Sequence, residues 1–344
     1  MQLLRDTIIK TLAYFDLADY PLTKEELFSL LWQPPAISYA EFLLSLRGVV
    51  SDEAIPSNGS AHQNQGDCRA SLAMTEKFGY YFLPRPPKPE AAAGPGREAI
   101  VEERRRRLLI SEQKLKIARR AAKIIRSVPF LRAVFVCNST GAEQASEDSD
   151  IDFFIVTEKN RIWLTRLLVT FLLELFRLRR AGKRVKNKVC LSFYVTVYNL
   201  DLANFRVADD DIHFAYWINQ MLPIFDPEDY YLKFLHVNQW VKTYLPNAEP
   251  KITSSYLLKI PESRFGKIWK KIWEKMWEGS YGDLINLQAK KIQLAKIKSS
   301  GKPIDRGADK GVVISDGVLK FHEKDTRVAY REEWKKKIYA AQNL

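Results

Sequence analysis

Residues 134–157 constrain this chain more than any other stretch. They read Val-Phe-Val-Cys-Asn-Ser-Thr-Gly-Ala-Glu-Gln-Ala-Ser-Glu-Asp-Ser-Asp-Ile-Asp-Phe-Phe-Ile-Val-Thr. Two apolar runs, Val134–Cys137 and Phe153–Val156, read as buried strands. A small polar turn follows the first, and Asp150 and Asp152 lead into the second. Positions two apart on a strand face the same side, so both carboxylates face one place. Two carboxylates converging at a strand end make a hard-oxygen site suited to Mg²⁺, with Mn²⁺ as a substitute. Ser139 lies just after the first strand, where backbone N–H groups are placed to hold a phosphate. Asn138 precedes it and is among the residues most tolerant of a left-handed turn. A bare Asp-x-Asp is also what two solvated residues at a strand start look like. The two strands, the serine and its spacing favour the site.

A chain of 344 residues suggests two or three domains. The formal charge of +13 admits nucleic acid, a nucleotide or an anionic membrane as partner without selecting one. Nucleic acid is not the favoured partner, because solvated basic helices account for such a charge equally well. The three cysteines, Cys68, Cys137 and Cys190, are scattered and suggest neither a zinc site nor a disulfide framework. Cys137 and Cys190 sit in apolar runs and read as buried thiols. The start, Met1-Gln-Leu-Leu-Arg-Asp, lacks the features of a secretion signal. These observations give the expectation of a cytoplasmic protein. The apolar run Ile162–Phe176 is short for a membrane span and carries Arg166 and Glu174, so it is expected to be a helix packed on a sheet.

The segment 1–83 reads as three helices and a hairpin. Leu4, Ile8, Ile9, Leu12 and Phe15 recur at helical spacing. Thr23 with Glu26 and Ser38 with Glu41 are capping boxes, opening helices at Lys24–Trp32 and up to about Arg47. Ser71–Leu83 reads as two short strands, after a polar stretch at Ser51–Arg69. Together they predict a winged helix-turn-helix. Its third helix carries little basic character, which favours docking of a protein or substrate over reading DNA. Residues 84–96 are a Pro- and Gly-rich linker. Residues 97–227 form the predicted core. A charged helix over Arg97–Ser127 feeds the first strand, and a further strand is expected at Val189–Val197. Asp209, Asp210 and Asp211 are expected to cap a helix over Ile212–Met221. Residues 228–344 read as mainly helical. Their aromatic stretch Phe265–Trp277, with Ile268, Ile272 and Met276 at helical spacing, is expected to pack inward. Lys320, His322, Asp325 and Arg327 follow a Ser-Asp-Gly turn and read as a surface turn or as a flap over the aspartate site.

The serine, ten residues, Asp-x-Asp pattern resembles the signature of the DNA polymerase β-like nucleotidyltransferase superfamily, and most closely the minimal nucleotidyltransferases. The resemblance extends to Thr11–Glu26, Gly79–Pro84, Val128–Arg132 and Gln220–Asp226, which look like segments of a bacterial nucleotidyltransferase-like group with an N-terminal winged helix. It implies an α/β (α+β) fold with a small mixed sheet and flanking helices. It also implies that Asp150 and Asp152 are catalytic and hold Mg²⁺, and that Asn138 and Ser139 bind the phosphates of a nucleoside triphosphate. A nucleoside monophosphate would pass to a hydroxyl acceptor whose identity the sequence does not give. Two departures stand out. Asn138 replaces the family's Gly, and Val189–Val197 contains no third carboxylate, so Ser192 or Tyr194 takes its place. Those departures leave open a catalytically impaired relative that acts as a nucleotide-, protein- or nucleic-acid-binding regulatory module.

Overall fold

The structure, a computed structural model, describes residues 2–47, 74–84, 97–251, 259–299, 311–322 and 325–342. The polar stretch Ser51–Arg69, with Cys68, and residues 85–96 of the linker lie outside them. Chain contacts divide the protein into two units. One comprises Met1–Arg105, Val241–Glu249 and Ala329–Leu344, the other Arg106–Trp240 and Pro250–Val328.

The first unit begins with α1 (Gln2–Asp16), which buries Leu4, Ile8, Ile9, Leu12 and Phe15. A two-residue strand β1 (Leu22–Thr23) leads into α2 (Lys24–Ser29). There the Thr23 N–H donates to Glu26 Oε2 at 2.9 Å while Thr23 Oγ1 accepts from the Glu26 N–H at 3.3 Å. This reciprocal cap satisfies two donors that the first helical turn leaves unpaired. Ser38 and Glu41 repeat it at α3 (Tyr39–Arg47), with bonds of 2.8 and 3.3 Å. α2 ends at Ser29, short of the expected Trp32. Trp32 is instead a buried side chain stacked on Tyr244. β2 (Thr75–Lys77) and β3 (Tyr80–Phe82) form a hairpin that β1 extends to a three-stranded antiparallel sheet ordered β1-β3-β2. Its two-residue turn, Phe78-Gly79, has positive φ at both positions, 54° and 77°. Such mirror-image turns match strand twist, and glycine adopts one of the two positions without strain.

The second unit is a mixed six-stranded sheet with flanking helices. Its strands are β4 (Leu131–Cys137), β5 (Ile151–Thr157), β6 (Val189–Thr196), β7 (Leu222–Phe225), β8 (Val312–Ile314) and β9 (Val318–Phe321), in the order β7-β4-β5-β6-β9-β8. Only β5 and β6 are parallel. Parallel neighbours need a crossover, and α6 (Ile162–Leu175) provides it. α6 buries Ile162, Trp163, Val169 and Leu173 and places Phe171 and Leu175 outward. No helix of the described residues is long and apolar enough to cross a membrane.

Period-two alternation sorts the strand residues between two cores. Ile151, Phe153 and Ile155 pack with Ala118, Ala121, Ala122 and Ile125 of α4 (Arg97–Ile125) and with Trp163 of α6. On the other face Phe154 meets Phe135, Phe193, Trp217 and Phe234. Trp217 belongs to α7 (Ile212–Asn219), Phe234 to α8 (Tyr230–Val237), and the short α9 (Trp240–Tyr244) follows in sequence. Truncating one such buried Phe to Ala typically costs about 3–5 kcal/mol. The C-terminal part is not only helical. It supplies the β8–β9 hairpin, and β9 pairs Leu319 with Tyr194 and Lys320 with Phe193 of β6.

Candidate functional site

The site stands where β4 ends and β5 and β6 begin. β4 closes with Cys137, and the short helix α5 (Asn138–Gly141) begins at once. Asn138 has φ 53°, the left-handed region, which Asn tolerates better than most residues. Gly141 is held against β4 so closely that an added Cβ would lie 2.8 Å from the Val136 carbonyl oxygen. The turn is thereby tied back onto its own strand. Ser139 is half-buried, and its carbonyl accepts from the Gln144 N–H at 2.7 Å.

Asp150 immediately precedes β5 and Asp152 is its second residue. Cys190, the second residue of β6, is the parallel-register partner of Asp152. One ligand atom from each of Asp150, Asp152 and Cys190 lies within 4.8 Å of the other two. Arg180 Nη1 donates to Asp150 Oδ2 at 2.5 Å. The Asn138 side chain hydrogen-bonds Asp152. Asn138 Oδ1 in turn accepts from Trp217 Nε1 at 2.6 Å. Burial, followed by the charge of Asp150, pushes the Asp152 carboxyl up to about 6, against the pull of Asn138, Cys190 and Arg180. Two carboxylates are therefore crowded together with too little positive charge beside them.

That imbalance tests the fit of a divalent ion. Two close oxygens and uncompensated negative charge suit Mg²⁺ or Mn²⁺, which keep several positions for water or phosphate. Cys190 does not complete a hard-oxygen set. Burial and the charge of Asp152 push its thiol up to about 12, so it is protonated at neutral pH. The two aspartates fit such an ion, and the third side chain beside them is a neutral thiol.

The β6 side chain that meets the two aspartates is thus Cys190 rather than Ser192 or Tyr194. Tyr194 faces the opposite core, near Arg166, and is fully buried. Ser192 bonds the Cys190 thiol and lies 3.3 Å from His322 Nε2. A polar line therefore runs from Asp152 through Cys190 and Ser192 to His322. The other nitrogen of His322, Nδ1, is buried and has no hydrogen-bond partner. Burial and then the charge of Lys320 push the imidazole down to about 4. Lys320, Asp325 and Arg327 form a separate clasp. Arg327 bonds Asp325 Oδ1 at 2.8 Å and Asp211 Oδ2 at 3.1 Å, and Lys320 lies 3.5 Å from Asp325. Asp211 also caps α7, accepting from the Phe214 N–H at 3.1 Å.

Arg180 and Trp217 are the side chains sequence reasoning missed, and neither left a signal. Cys190 was read only as a buried thiol, and of the four residues after the Ser-Asp-Gly turn it is His322 that reaches the polar line from the aspartates. No family model, no curated protein and no solved structure matches the chain.

Proposed function

We propose that the chain is a nucleotidyltransferase of the DNA polymerase β-like kind, preceded by a winged helix-turn-helix, that transfers a nucleoside monophosphate from a nucleoside triphosphate to a hydroxyl acceptor. The observation that carries this reading is the meeting of Asp150 and Asp152 at the start of β5, beside the left-handed turn that presents Ser139. Asp150 and Asp152 would hold Mg²⁺, which when bound supplies charge stabilisation for the attacking and leaving oxygens of phosphoryl transfer. The Ser139 hydroxyl and the N–H groups of α5 would grip phosphate oxygens. Asn138 fixes the Asp152 carboxylate from one side and is itself fixed by Trp217. Arg180 neutralises Asp150 until a cation takes that role, and is then free to bind phosphate.

The test is label transfer from an α-phosphate-labelled nucleotide across a panel of protein, RNA and small-molecule hydroxyl acceptors. Transfer is expected with Mg²⁺ and lost when Asp150 and Asp152 are both replaced by Asn with the fold intact. Asn138→Gly is expected to preserve or raise activity, because glycine adopts φ 53° without strain. Transfer that survives the double replacement places the chemistry elsewhere.

The neutral Cys190 in the position of a third carboxylate supports a second reading, a module that binds nucleotide and does not transfer it. Mg²⁺-dependent nucleotide binding with no transfer to any acceptor selects that reading.

A further inference from the structure

The helix α10 (Arg264–Met276) is turned the opposite way from a normal surface helix. At 100° per residue, Phe265, Ile268, Trp269, Ile272 and Met276 fall within an arc of about 100°. That arc points to solvent, with Phe265 76%, Ile268 61% and Ile272 58% exposed. The expectation that Ile268, Ile272 and Met276 pack inward is therefore overturned. The face that docks on the protein is small and polar: Gly266, Lys270 and Glu274. Lys270 Nζ donates to the Leu131 carbonyl at 2.8 Å, and Glu274 accepts from the Phe130 N–H at 2.6 Å and from Arg132 at 2.8 Å. The remaining arc carries Arg264, Lys267, Lys271 and Lys275, all exposed.

The next helix, α11 (Gly279–Ser299), repeats the inversion. It buries Gly282, Asn286, Ala289 and Gln293. Asn286 Oδ1 accepts from the Leu164 N–H at 3.0 Å, and Gln293 Nε2 donates to the Trp163 carbonyl at 2.8 Å. Tyr281, Leu284, Leu287 and Ile292 are left exposed. Two successive helices thus use hydrogen bonds to hold on and leave most of their large apolar side chains outside. Leaving one such side chain in water forgoes about 1.5–3 kcal/mol of burial. An exposed apolar arc running the length of a helix, as on α10, marks an interaction surface.

We infer that α10 is an interfacial helix that seats its apolar arc in an anionic lipid surface. An apolar arc rich in Trp, Phe and Ile bordered by a row of cations is the pattern of helices lying in the headgroup plane. The row Arg264, Lys267, Lys271 and Lys275 is complementary to anionic headgroups, each worth about 1 kcal/mol near such a surface. A second copy of the chain is the poorer occupant. It would set two such cation rows, and two net charges of +13, against each other. The surface is separate from the aspartate site and does not depend on its chemistry.

Vesicle sedimentation of the full chain tests this. The protein is expected to pellet with phosphatidylcholine vesicles containing about 30 mol% phosphatidylserine and not with phosphatidylcholine alone. Ile268→Asp with Ile272→Asp is expected to weaken the partition about tenfold or more, because two inserted side chains are lost. Lys271→Glu with Lys275→Glu is expected to weaken it by a similar factor. Unchanged thermal melts by circular dichroism show that both variants fold. Independently of any variant, lipids brominated near the headgroup are expected to quench tryptophan fluorescence of the wild-type chain. Absence of binding to the anionic vesicles, equal binding by the isoleucine variant, or no quenching overturns the inference. So does a concentration-dependent dimer that the isoleucine variant dissolves, since the apolar arc then belongs to a second copy.

Discussion

Two pairs of aspartates stand in the second unit, and their charge balance differs. Asp211 and Asp325 share Arg327, whose exposure is only 6%, and Lys320 lies beside Asp325. Burial opposes the charge of Asp325, yet hydrogen bonds to Arg327 and the charges of Arg327 and Lys320 hold its carboxyl well below the usual range. Two acids meet two bases, and the cluster is closed. Asp150 and Asp152 have Arg180 as their direct cationic contact, and Asp152 titrates high rather than low. The closed cluster is a clasp that fastens β9 and the start of α12 (Arg327–Gln342) to the cap of α7. The open one sets two carboxylates against a single direct cationic contact. Acidic residues alone do not distinguish the two pairs, and the cations that face them do.

The contrast is broken most severely at Arg327. Arg327→Met leaves the buried Asp211 and the half-buried Asp325 without their shared cation, and is expected to destabilise the protein by about 3–5 kcal/mol in denaturant unfolding. A loss below about 1 kcal/mol removes the clasp.

His322 sharpens the comparison through pH. Its folded value of about 4 lies below the ordinary 6.5, so the unfolded chain binds more protons between those values. Stability is expected to fall as pH drops from about 6.5 to 4, and His322→Gln to flatten that loss by about 2 kcal/mol. An unchanged pH profile in the variant contradicts the buried neutral imidazole.

Asp152 has the opposite sign. A carboxyl raised to about 6 in the fold holds its proton longer than the unfolded chain does. Stability is therefore lost as pH rises from about 4 to 6, and the loss persists at neutral pH. Asp152→Asn is expected to stabilise the protein at pH 7 by about 1–2 kcal/mol, while Arg327→Met destabilises it. If Asp152→Asn destabilises instead, the charge at the open site is already compensated.

The smallest effect is expected at Asn138. Exchange for Gly removes its bonds to Asp152 and Trp217 but relieves the left-handed strain, leaving stability within about 1 kcal/mol.

The sequence carried the strands and the capping boxes clearly, because both are local. Val134–Cys137 and Phe153–Val156 lie inside β4 and β5, and Thr23–Glu26 forms the cap its spacing demands. The pairing of Asp152 with Cys190 was out of reach, because it depends on the parallel register across α6. β8 and β9 were hidden because three or four residues of pattern are too short to declare a strand. The stripe in α10 showed its period but not its direction. Periodicity states that one face is apolar, and only the bonds of Lys270 and Glu274 reveal that the polar side faces inward.

The open site is tested most directly by Mn²⁺ paramagnetic resonance, which reads free ion and so measures binding by loss of signal. With a nonhydrolysable nucleoside triphosphate present, the wild-type chain is expected to lower the free-ion signal beyond what the nucleotide alone removes. The variant with Asn at both 150 and 152 is expected to leave that signal at the nucleotide-only level, with its fold intact. Equal signal loss by wild type and variant, or none by either, would contradict a divalent-ion site at Asp150 and Asp152.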